Sequence, residues 1–304
     1  MQLLQRLKTY FLATRPQFFT ATILPVGLGA TVAWYEHKIF VLAYFLLSLL
    51  AAIFYHAGIN VLNDYFDYLN GTDNINRTGL TPFTGGSRMI QNKVMTPKET
   101  YFLSIAFLIT GSIIGLYLVY ERGTPLLFIG VIGLLSGYYY SAPPLFLVSR
   151  GLGELLVGLN FGLFTVVGSY YVQIQDVSIS AVFASFPLSF LIAAILYINE
   201  FPDYDADKAV GKNQIVVRLG KKKARWGFVI LIIGAYLSIM LSVTLNLSPS
   251  TALFALLPAA FGAIAVKGLF KNYDKFKELI PSIKATISAH LLTGIALIII
   301  FVIS

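Results

Sequence analysis

The chain contains no cysteine and only three histidines among its 304 residues. It therefore forms no disulfide and no thiolate metal centre. His37, His56 and His290 lie far apart, with no HExxH pair, which removes the usual zinc and iron arrangements. Charge is scarce as well. Asp, Glu, Lys and Arg make up 12% of the residues, against about 25% in an ordinary soluble domain. There is no Ser–His–Asp arrangement, no Walker loop and no GxGxxG before a strand. Apolar residues are what the chain has in excess. They form 57% of the sequence, with a mean hydropathy of +0.76, and this places the chain in the membrane class. The net charge of +8 would point to nucleic acid in a soluble protein. Here the basic residues lie between apolar runs, so membrane orientation explains them and no nucleic-acid partner is expected.

Residues 1–14 are short, basic and amphipathic, and read as an interfacial helix rather than a signal peptide. Apolar windows of the roughly 20 residues needed to cross a bilayer then follow. They lie near 17–36, 40–64, 99–120, 124–142, 152–173, 180–200, 226–246, 251–270 and 283–303. Nine spans put all but two of the 22 basic residues, Lys38 and Arg122, on the side that holds the N-terminus. The positive-inside rule makes that side cytoplasmic. The expectation is an all-α integral membrane protein, multi-pass, with residues 1–304 forming a single domain. Two connections, 74–98 and 204–225, are long and read as cytoplasmic cap loops.

Each long connection follows an acidic cluster. The first, Asn60–Asp73, reads NVLNDYFDYLNGTD and closes an apolar run. Asn60, Asn63, Asp64 and Asp67 recur at three- and four-residue spacing, which on a helix puts them on one face. The second reads NEFPDYDADKAVG from Asn199 to Gly211. Asn63-Asp64-Tyr65-Phe66-Asp67-Tyr68 and Asn199-Glu200-Phe201-Pro202-Asp203-Tyr204 share the order Asn, acid, aromatic, any, Asp, Tyr. Both clusters sit at the end of an even-numbered span, a repetition that suggests a duplicated unit or one task done twice. Asp203 and Asp207 are four apart and share a helical face, while Asp205 points away; Pro202 is expected to loosen the helix just before them.

Carboxylates at the end of a membrane helix are costly unless a cation compensates them. Oxygen-only ligands favour Mg²⁺ or Ca²⁺, and Mg²⁺ is typically held by one or two carboxylates plus substrate phosphate. Arg77, Arg88, Lys93, Lys208, Lys212 and Arg218 in the adjoining loops add positive charge. Two metals and several cations suit a strongly anionic group such as diphosphate, and could pull electrons toward it as it leaves. Tyr138, Tyr139 and Tyr140 stand at the end of the fourth span, where an aromatic face could stabilise a developing carbocation. Tyr140, just before Ser141, is the preferred member; the alternative is an interfacial aromatic belt.

These residues resemble the UbiA superfamily of intramembrane prenyltransferases. The first cluster is similar to that family's Asn-Asp-x-x-Asp-x-x-x-Asp motif, carried by Asn63, Asp64, Asp67 and then Asp73. Gly71 stands where the last Asp often falls, and the displaced Asp73 resembles the branch that prenylates 1,4-dihydroxy-2-naphthoate. Asp203 and Asp207, with Asn199 one turn before, are similar to the second motif. Arg15-Pro16, Thr84–Arg88, Tyr140–Pro144, Gly153-Glu154, Gly211-Lys212 and Val217–Gly220 also look like that branch. The resemblance implies nine helices around a central cavity and two Mg²⁺ ions on a prenyl diphosphate. It further implies ionisation to an allylic cation and attack by an aromatic acceptor. The implied catalytic residues are Asp67, Asp203 and Tyr140. Asn63, Asp64, Asp67, Asp73, Asp203 and Asp207 are the metal set, with Asp64 the weakest. Asn63, Asn199, Arg77, Arg88, Lys93, Arg150, Lys212 and Arg218 are the substrate contacts.

Plainer readings stand beside these. Asn60 and Asn63 could bond backbone across helices. The loop cations could serve topology alone. Gly111/Gly115 and Gly158/Gly162 are expected to pack helices closely. Glu154 could pair with Arg150 or bind substrate. His56 and His290 are expected to be packed and hydrogen-bonded. Two other functions compete: a transporter, disfavoured because the acids sit at one membrane face, and transfer to a glycerol-phosphate lipid or haem-type acceptor.

Overall fold

The computed structural model describes residues 2–76, 79–80 and 83–304, with side chains from Leu4 onward. Every regular element among them is helical. In chain order the helices are α1 (Gln2–Ala13), α2 (Thr20–His37), α3 (Leu42–Leu69), α4 (Thr72–Ile75), α5 (Pro97–Arg122), α6 (Pro125–Ser141) and α7 (Gly153–Val157). A π-helical segment, Gly158–Phe164, joins α7 to α8 (Thr165–Ile174). They are followed by α9 (Ile179–Ala209), α10 (Ile215–Leu219), α11 (Lys221–Thr244), α12 (Ala259–Asn272) and α13 (Ile280–Ile303).

Of the nine expected spans, eight correspond to helical segments long and apolar enough to cross a bilayer. The protein is an integral, multi-pass membrane protein. The span expected at 124–142 is the exception: α6 has only 17 residues, about 26 Å at 1.5 Å per residue. The second cap loop is shorter than expected. α9 runs unbroken through Pro187 and Pro202 to Ala209, so Asp203 and Asp207 belong to a helix and the loop begins at Val210. Pro202 has no N–H to give, but the residues around it are held on several sides by packing.

Local signals explain the helix ends. Thr96 accepts from the Glu99 amide and Glu99 reaches back to the Thr96 amide, a reciprocal cap with Pro97 in the first turn of α5. α3 stops at Asn70, and Gly71 turns the chain with φ +87°, a conformation glycine adopts without strain.

α9 is the central post. It packs on α2, α7, α8, α11 and α13, and its buried face runs from Ser180 to Asp207. Because lipid is as apolar as leucine, close approach of backbones must supply much of the association. At Gly162 an added Cβ would lie 2.5 Å from the Ser189 Cα, so the π segment rests directly on α9. Gly58 and Gly111 serve the α3–α5 contact in the same way. Gly115 does not pack as expected: a Cβ there would meet nothing within 4 Å, since the residue faces the cavity described below. Phe102, Ile113, Tyr120, Phe128, Trp226 and Ile230 point outward, as lipid-facing side chains do.

The two ends of the bundle differ. At the end far from the acids, Arg122 donates from Nε and Nη2 to the Val172 and Gln173 carbonyls at 2.7 and 2.9 Å, satisfying the C-terminal carbonyls of α8. Glu36 accepts there from Tyr170 and Ser178 at 2.7 and 2.8 Å. At the acid end, α1 is tied down by Tyr10 donating to Glu99 at 2.6 Å and by Asn60 donating to the Thr14 carbonyl at 3.0 Å. The structural reading of Asn60 is therefore realised.

Gly162→Ala is expected to lower stability by about 1–3 kcal/mol through overpacking against Ser189. Gly115→Ala, with open space around it, is expected to cost nothing. Thermal unfolding of both variants in detergent checks the contrast.

Candidate active site

A cavity of about 420 Å³ opens among α2, α3, α5, α6, the α7–α8 segment and α9. Its lining along α3 runs from Asp67 down to Ser48, a distance of about 28 Å at the helical rise. That approaches the ~30 Å hydrocarbon core of a bilayer. The upper end is polar: Arg15, Asn60, Asn63, Asp67, Asp73, Asn76, Asn199, Glu200, Asp203, Asp207, Lys212 and Gln214. The lower part is lined mainly by Ala, Val, Leu, Ile, Phe and Gly.

The polar end brings the two acid clusters together. Lys212, buried, donates to both oxygens of Asp67 at 3.1 and 3.2 Å. Its Nζ also lies 3.8 Å from Asp207, so one cation bridges α3 and α9. Burial opposes the charge on Lys212, but Asp67 and Asp207 outweigh it and hold its pKa above the ordinary lysine value. Asn63 donates to Asp67 at 3.1 Å and to the Ser141 hydroxyl at 2.8 Å, and Asn70 donates to Asp67 at 3.2 Å. Across the mouth, Asn76 donates to Asp203 at 2.8 Å and Gln214 to Asp207 at 2.7 Å.

Asp64 sits apart. One residue on from Asn63, it is turned about 100° around α3 and does not line the cavity with Asn60, Asn63 and Asp67. Its carboxylate is ion-paired with Arg15 and accepts from the Ser87 amide. Asp73 comes into the cavity on α4, where an added Cβ on Gly86 would lie 2.6 Å from its Oδ2. Only a glycine with φ +74° lets the loop approach this closely. Burial, with Asp67 and Asp64 adding to it, pushes the Asp73 carboxyl up to about 8; a cation nearby would relieve that.

The remaining expected contacts divide. Tyr140, Asn199 and Lys212 line the cavity. Tyr138 and Tyr139 instead pack with Leu62, Phe66 and Ala142 on the α3–α6 face. Arg88, Lys93, Arg150 and Arg218 do not line it. Arg88 donates to the Asn76 carbonyl at 3.3 Å, Arg150 to the Leu145 carbonyl at 2.6 Å, and Arg218 to the Asn213 and Ser149 carbonyls. These three cations pin loop backbone, and Lys93 is exposed. Arg77 lies outside the described residues. Asp205 is exposed and 3.6 Å from Lys221. His56 meets the Thr22 hydroxyl at 2.7 Å and stacks edge-on with Phe19 and Phe161, whereas the buried His290 Nε2 has no partner. Arg150 does not pair with Glu154.

Among the amide and acid side chains that line the cavity, sequence reasoning missed Asn76, Gln214, Asn160 and Glu200. Glu200 was visible as the acid of the repeated six-residue pattern. Arg15 was noted only as part of a dipeptide.

A divalent cation is the natural partner for a set of oxygen donors such as this one. Among the described residues no three acidic or histidine side chains are grouped tightly enough to form a closed cage. Asp73 Oδ2, Asp207 Oδ1 and Asn199 Oδ1 are nevertheless buried without a hydrogen-bond partner. Sparse carboxylates with hard oxygens that lack a hydrogen-bond partner would suit Mg²⁺, which is typically held by one or two carboxylates together with substrate phosphate.

The UbiA prenyltransferase family is matched over residues 22–279. Among curated proteins, the 1,4-dihydroxy-2-naphthoate octaprenyltransferase of Bacillus subtilis is 27% identical over 284 residues, covering 93% of this chain and 89% of that protein. The 2-carboxy-1,4-naphthoquinone phytyltransferase of a Synechocystis species is 26% identical, covering 94% and 91%. Among solved structures, a UbiA homolog from Archaeoglobus fulgidus bound to GPP and Mg²⁺ superposes with a TM-score of 0.65 at 17% identity, covering 95% of this chain and 99% of that one. A digeranylgeranylglyceryl phosphate synthase superposes with a TM-score of 0.68 at 20% identity, covering 99% and 100%. These structural likenesses establish the fold.

Arg15→Ala is expected to destabilise the protein by about 3–5 kcal/mol, because Asp64 is left buried without its partner. Adding Asp64→Asn is expected to restore part of the loss. Unfolding midpoints of the two single variants and the double variant form the cycle that measures the coupling.

Proposed function

From the premise that this chain belongs to the UbiA prenyltransferase family, and is thus a membrane-embedded prenyl-transferring enzyme, we propose the specific reaction. It transfers an isoprenyl chain from a prenyl diphosphate to an aromatic acceptor, with 1,4-dihydroxy-2-naphthoate the preferred candidate, as in menaquinone-type quinone synthesis. One observation carries this reading. Two carboxylate pairs from α3/α4 and α9 face each other across the polar mouth of a cavity whose long remainder is apolar. A substrate with a diphosphate head and a hydrocarbon tail matches that polarity. Curated relatives named for naphthoate and naphthoquinone prenylation, each spanning nearly the whole chain, support the acceptor.

Asp67 and Asp73 on one side, and Asp203 and Asp207 on the other, would hold two Mg²⁺ ions, with Asn63 beside Asp67. When bound, Mg²⁺ supplies Lewis-acid polarisation of the departing diphosphate. Lys212 and Arg15 supply fixed positive charge at the mouth, and Asn76, Asn199 and Gln214 supply polar contacts that orient the head group. The allylic carbon–oxygen bond breaks with its electron pair going to the diphosphate. Tyr140, at the boundary between polar mouth and apolar chamber, presents an aromatic face to the positive charge that develops on the tail. The apolar walls exclude water, which would otherwise capture that charge. The acceptor ring then attacks it. Arg88, Arg150 and Arg218 hold the surrounding loops through the backbone bonds described above. We place the mouth and the N-terminus on the cytoplasmic side, since nearly all basic residues lie at that end, and the whole chain, 1–304, acts as one unit.

Asp67→Ala and Asp203→Ala are each expected to reduce Mg²⁺-dependent formation of prenylated naphthoate by about 10²-fold or more, with the protein still folded. Chromatography of products from purified protein, with Mg²⁺ and with EDTA, measures this. Undiminished transfer by either variant in EDTA-washed membranes would sink the reading.

A further inference from the structure

A histidine inside a membrane-spanning helix is costly to keep, and where it lines a cavity it calls for a partner there. His56 is such a group. It is 4% exposed and lines the chamber from α3, one turn below Asn60 and two below Asn63. Its orientation is fixed from three directions. Nδ1 meets the hydroxyl of Thr22, a buried residue in the first turn of α2, at 2.7 Å. The Phe19 and Phe161 rings stand edge-on to the imidazole, with centroids 5.3 and 4.6 Å away. Phe161 belongs to the π-helical segment, a distortion that recurs at functional sites. The other ring nitrogen, Nε2, is hydrogen-bonded to no described residue, although the side chain lines the cavity.

Other polar groups along the apolar part of the wall are already committed. Ser48, Ser136, Thr165 and Ser169 donate to backbone carbonyls at 2.8, 3.2, 2.7 and 2.7 Å. Asn160 donates to Ser136 and to the Leu156 carbonyl. His290 also has an unpartnered Nε2, but it is sealed in the packed bundle and does not line this cavity. The proton on His56 can be placed by its neighbour. The Thr22 hydroxyl has no other hydrogen-bond partner among the described residues. If it donates to Nδ1, the ring proton sits on Nε2 and both groups are served. If the ring donated instead, the hydroxyl proton would be left without an acceptor. The arrangement therefore presents an N–H donor to the chamber.

We propose that His56 Nε2–H binds a ring hydroxyl of the aromatic acceptor, the one farther from its carboxylate, and so fixes the depth at which the acceptor meets the allylic end of the tail. This rests on the prenyl-transfer reading above. The carboxylate of such an acceptor is drawn to the positive charge of Arg15 and Lys212 at the mouth. Its remote hydroxyl then lies on the chamber side, where a hydroxyl without a partner would cost binding. A hydrocarbon tail, by contrast, offers nothing to a ring nitrogen. From Asn63 to His56 is about 10 Å along α3 at the helical rise, which leaves room for a planar ring between the mouth and the imidazole. Phe18 and Phe161 line the wall beside it, and aromatic side chains pack well on an aromatic substrate. Thr22 is a positioning residue that acts through His56.

The test uses the purified full chain with Mg²⁺ and geranylgeranyl diphosphate. It compares 1,4-dihydroxy-2-naphthoate with 1-hydroxy-2-naphthoate, which lacks the remote hydroxyl. KM is measured for the first, and the inhibition constant of the second against it. His56→Leu is expected to raise KM for the dihydroxy compound by about 10-fold or more, the effect of losing one buried hydrogen bond. The inhibition constant of the 1-hydroxy compound should change by about twofold at most, because that compound has no hydroxyl for His56 to hold. Thr22→Val is expected to raise the same KM several-fold, again sparing the 1-hydroxy compound. His56→Gln, whose amide reaches toward the Nε2 position, is expected to recover part of the loss. Equal weakening of both compounds, or of neither, overturns the proposal and leaves the prenyl-transfer reading intact. If the unaltered enzyme does not prenylate the naphthoate, both readings fall. Should His56→Leu not fold, Thr22→Val decides: selective weakening of the dihydroxy compound supports the proposal, and equal or absent weakening overturns it.

Discussion

Compensation of buried carboxylate charge is the constraint on which the rest of the architecture depends. Asp64, Asp67, Asp73 and Asp207 are all buried at the end of an apolar bundle, where an unpaired ion costs several kcal/mol. Two cations from distant parts of the chain meet them. Arg15 arrives from the junction of α1 and α2, and Lys212 from the turn after α9. Each tie therefore doubles as a tertiary clasp. Lys212 closes α3 onto the end of α9, and Arg15 closes the N-terminal segment onto α3. The polar amides of Asn63, Asn76 and Gln214 finish the arrangement by donating to the same carboxylates.

The cavity below this polar mouth exists because small residues face it. Gly115, Gly130, Gly133 and Gly137 line it from α5 and α6, and at Gly115 and Gly130 an added Cβ would meet open space. Elsewhere glycine does the opposite: Gly162 and Gly58 let helices touch. The same residue type thus makes tight seams on one side of the bundle and a void on the other. α6 marks the difference. It is short, and among its residues only Gly137 and Ser141 are buried, so it forms a thin wall between the chamber and the surrounding lipid. A hydrocarbon tail and a charged head can be held in one enclosure only if the polarity changes along its length, as it does here from Asp67 down to Ser48.

Much of this was legible beforehand. Long apolar runs announced the spans, because a bilayer sets their length, and α6 fell short only because its length is marginal. The acid clusters stood out because charge inside apolar sequence is rare. The loop cations were harder. Arg88, Lys93, Arg150, Arg218 and Lys212 look alike in a linear string, since each is a basic residue between spans. Folding separates them: only Lys212 lines the mouth, while three arginines bond backbone carbonyls. Periodicity also grouped Asp64 with Asn63 and Asp67, although its one-residue offset turns it toward Arg15. Asn76, Gln214 and Asn160 had no signal, as an isolated amide in a loop or an apolar helix matches no pattern.

The order of residues alone determined the membrane class, the approximate spans, the helical pairing of Asp203 with Asp207, and the repeated Asn-acid-aromatic pattern. These depend on local spacing and on average hydropathy, which a linear reading measures directly. Tertiary structure decided which cation meets which acid, that Arg150 bonds the Leu145 carbonyl and not Glu154, and that Gly115 opens a cavity where Gly162 closes a seam. These contacts join residues tens to more than a hundred positions apart, and their geometry is set by how the helices pack, which no local spacing encodes.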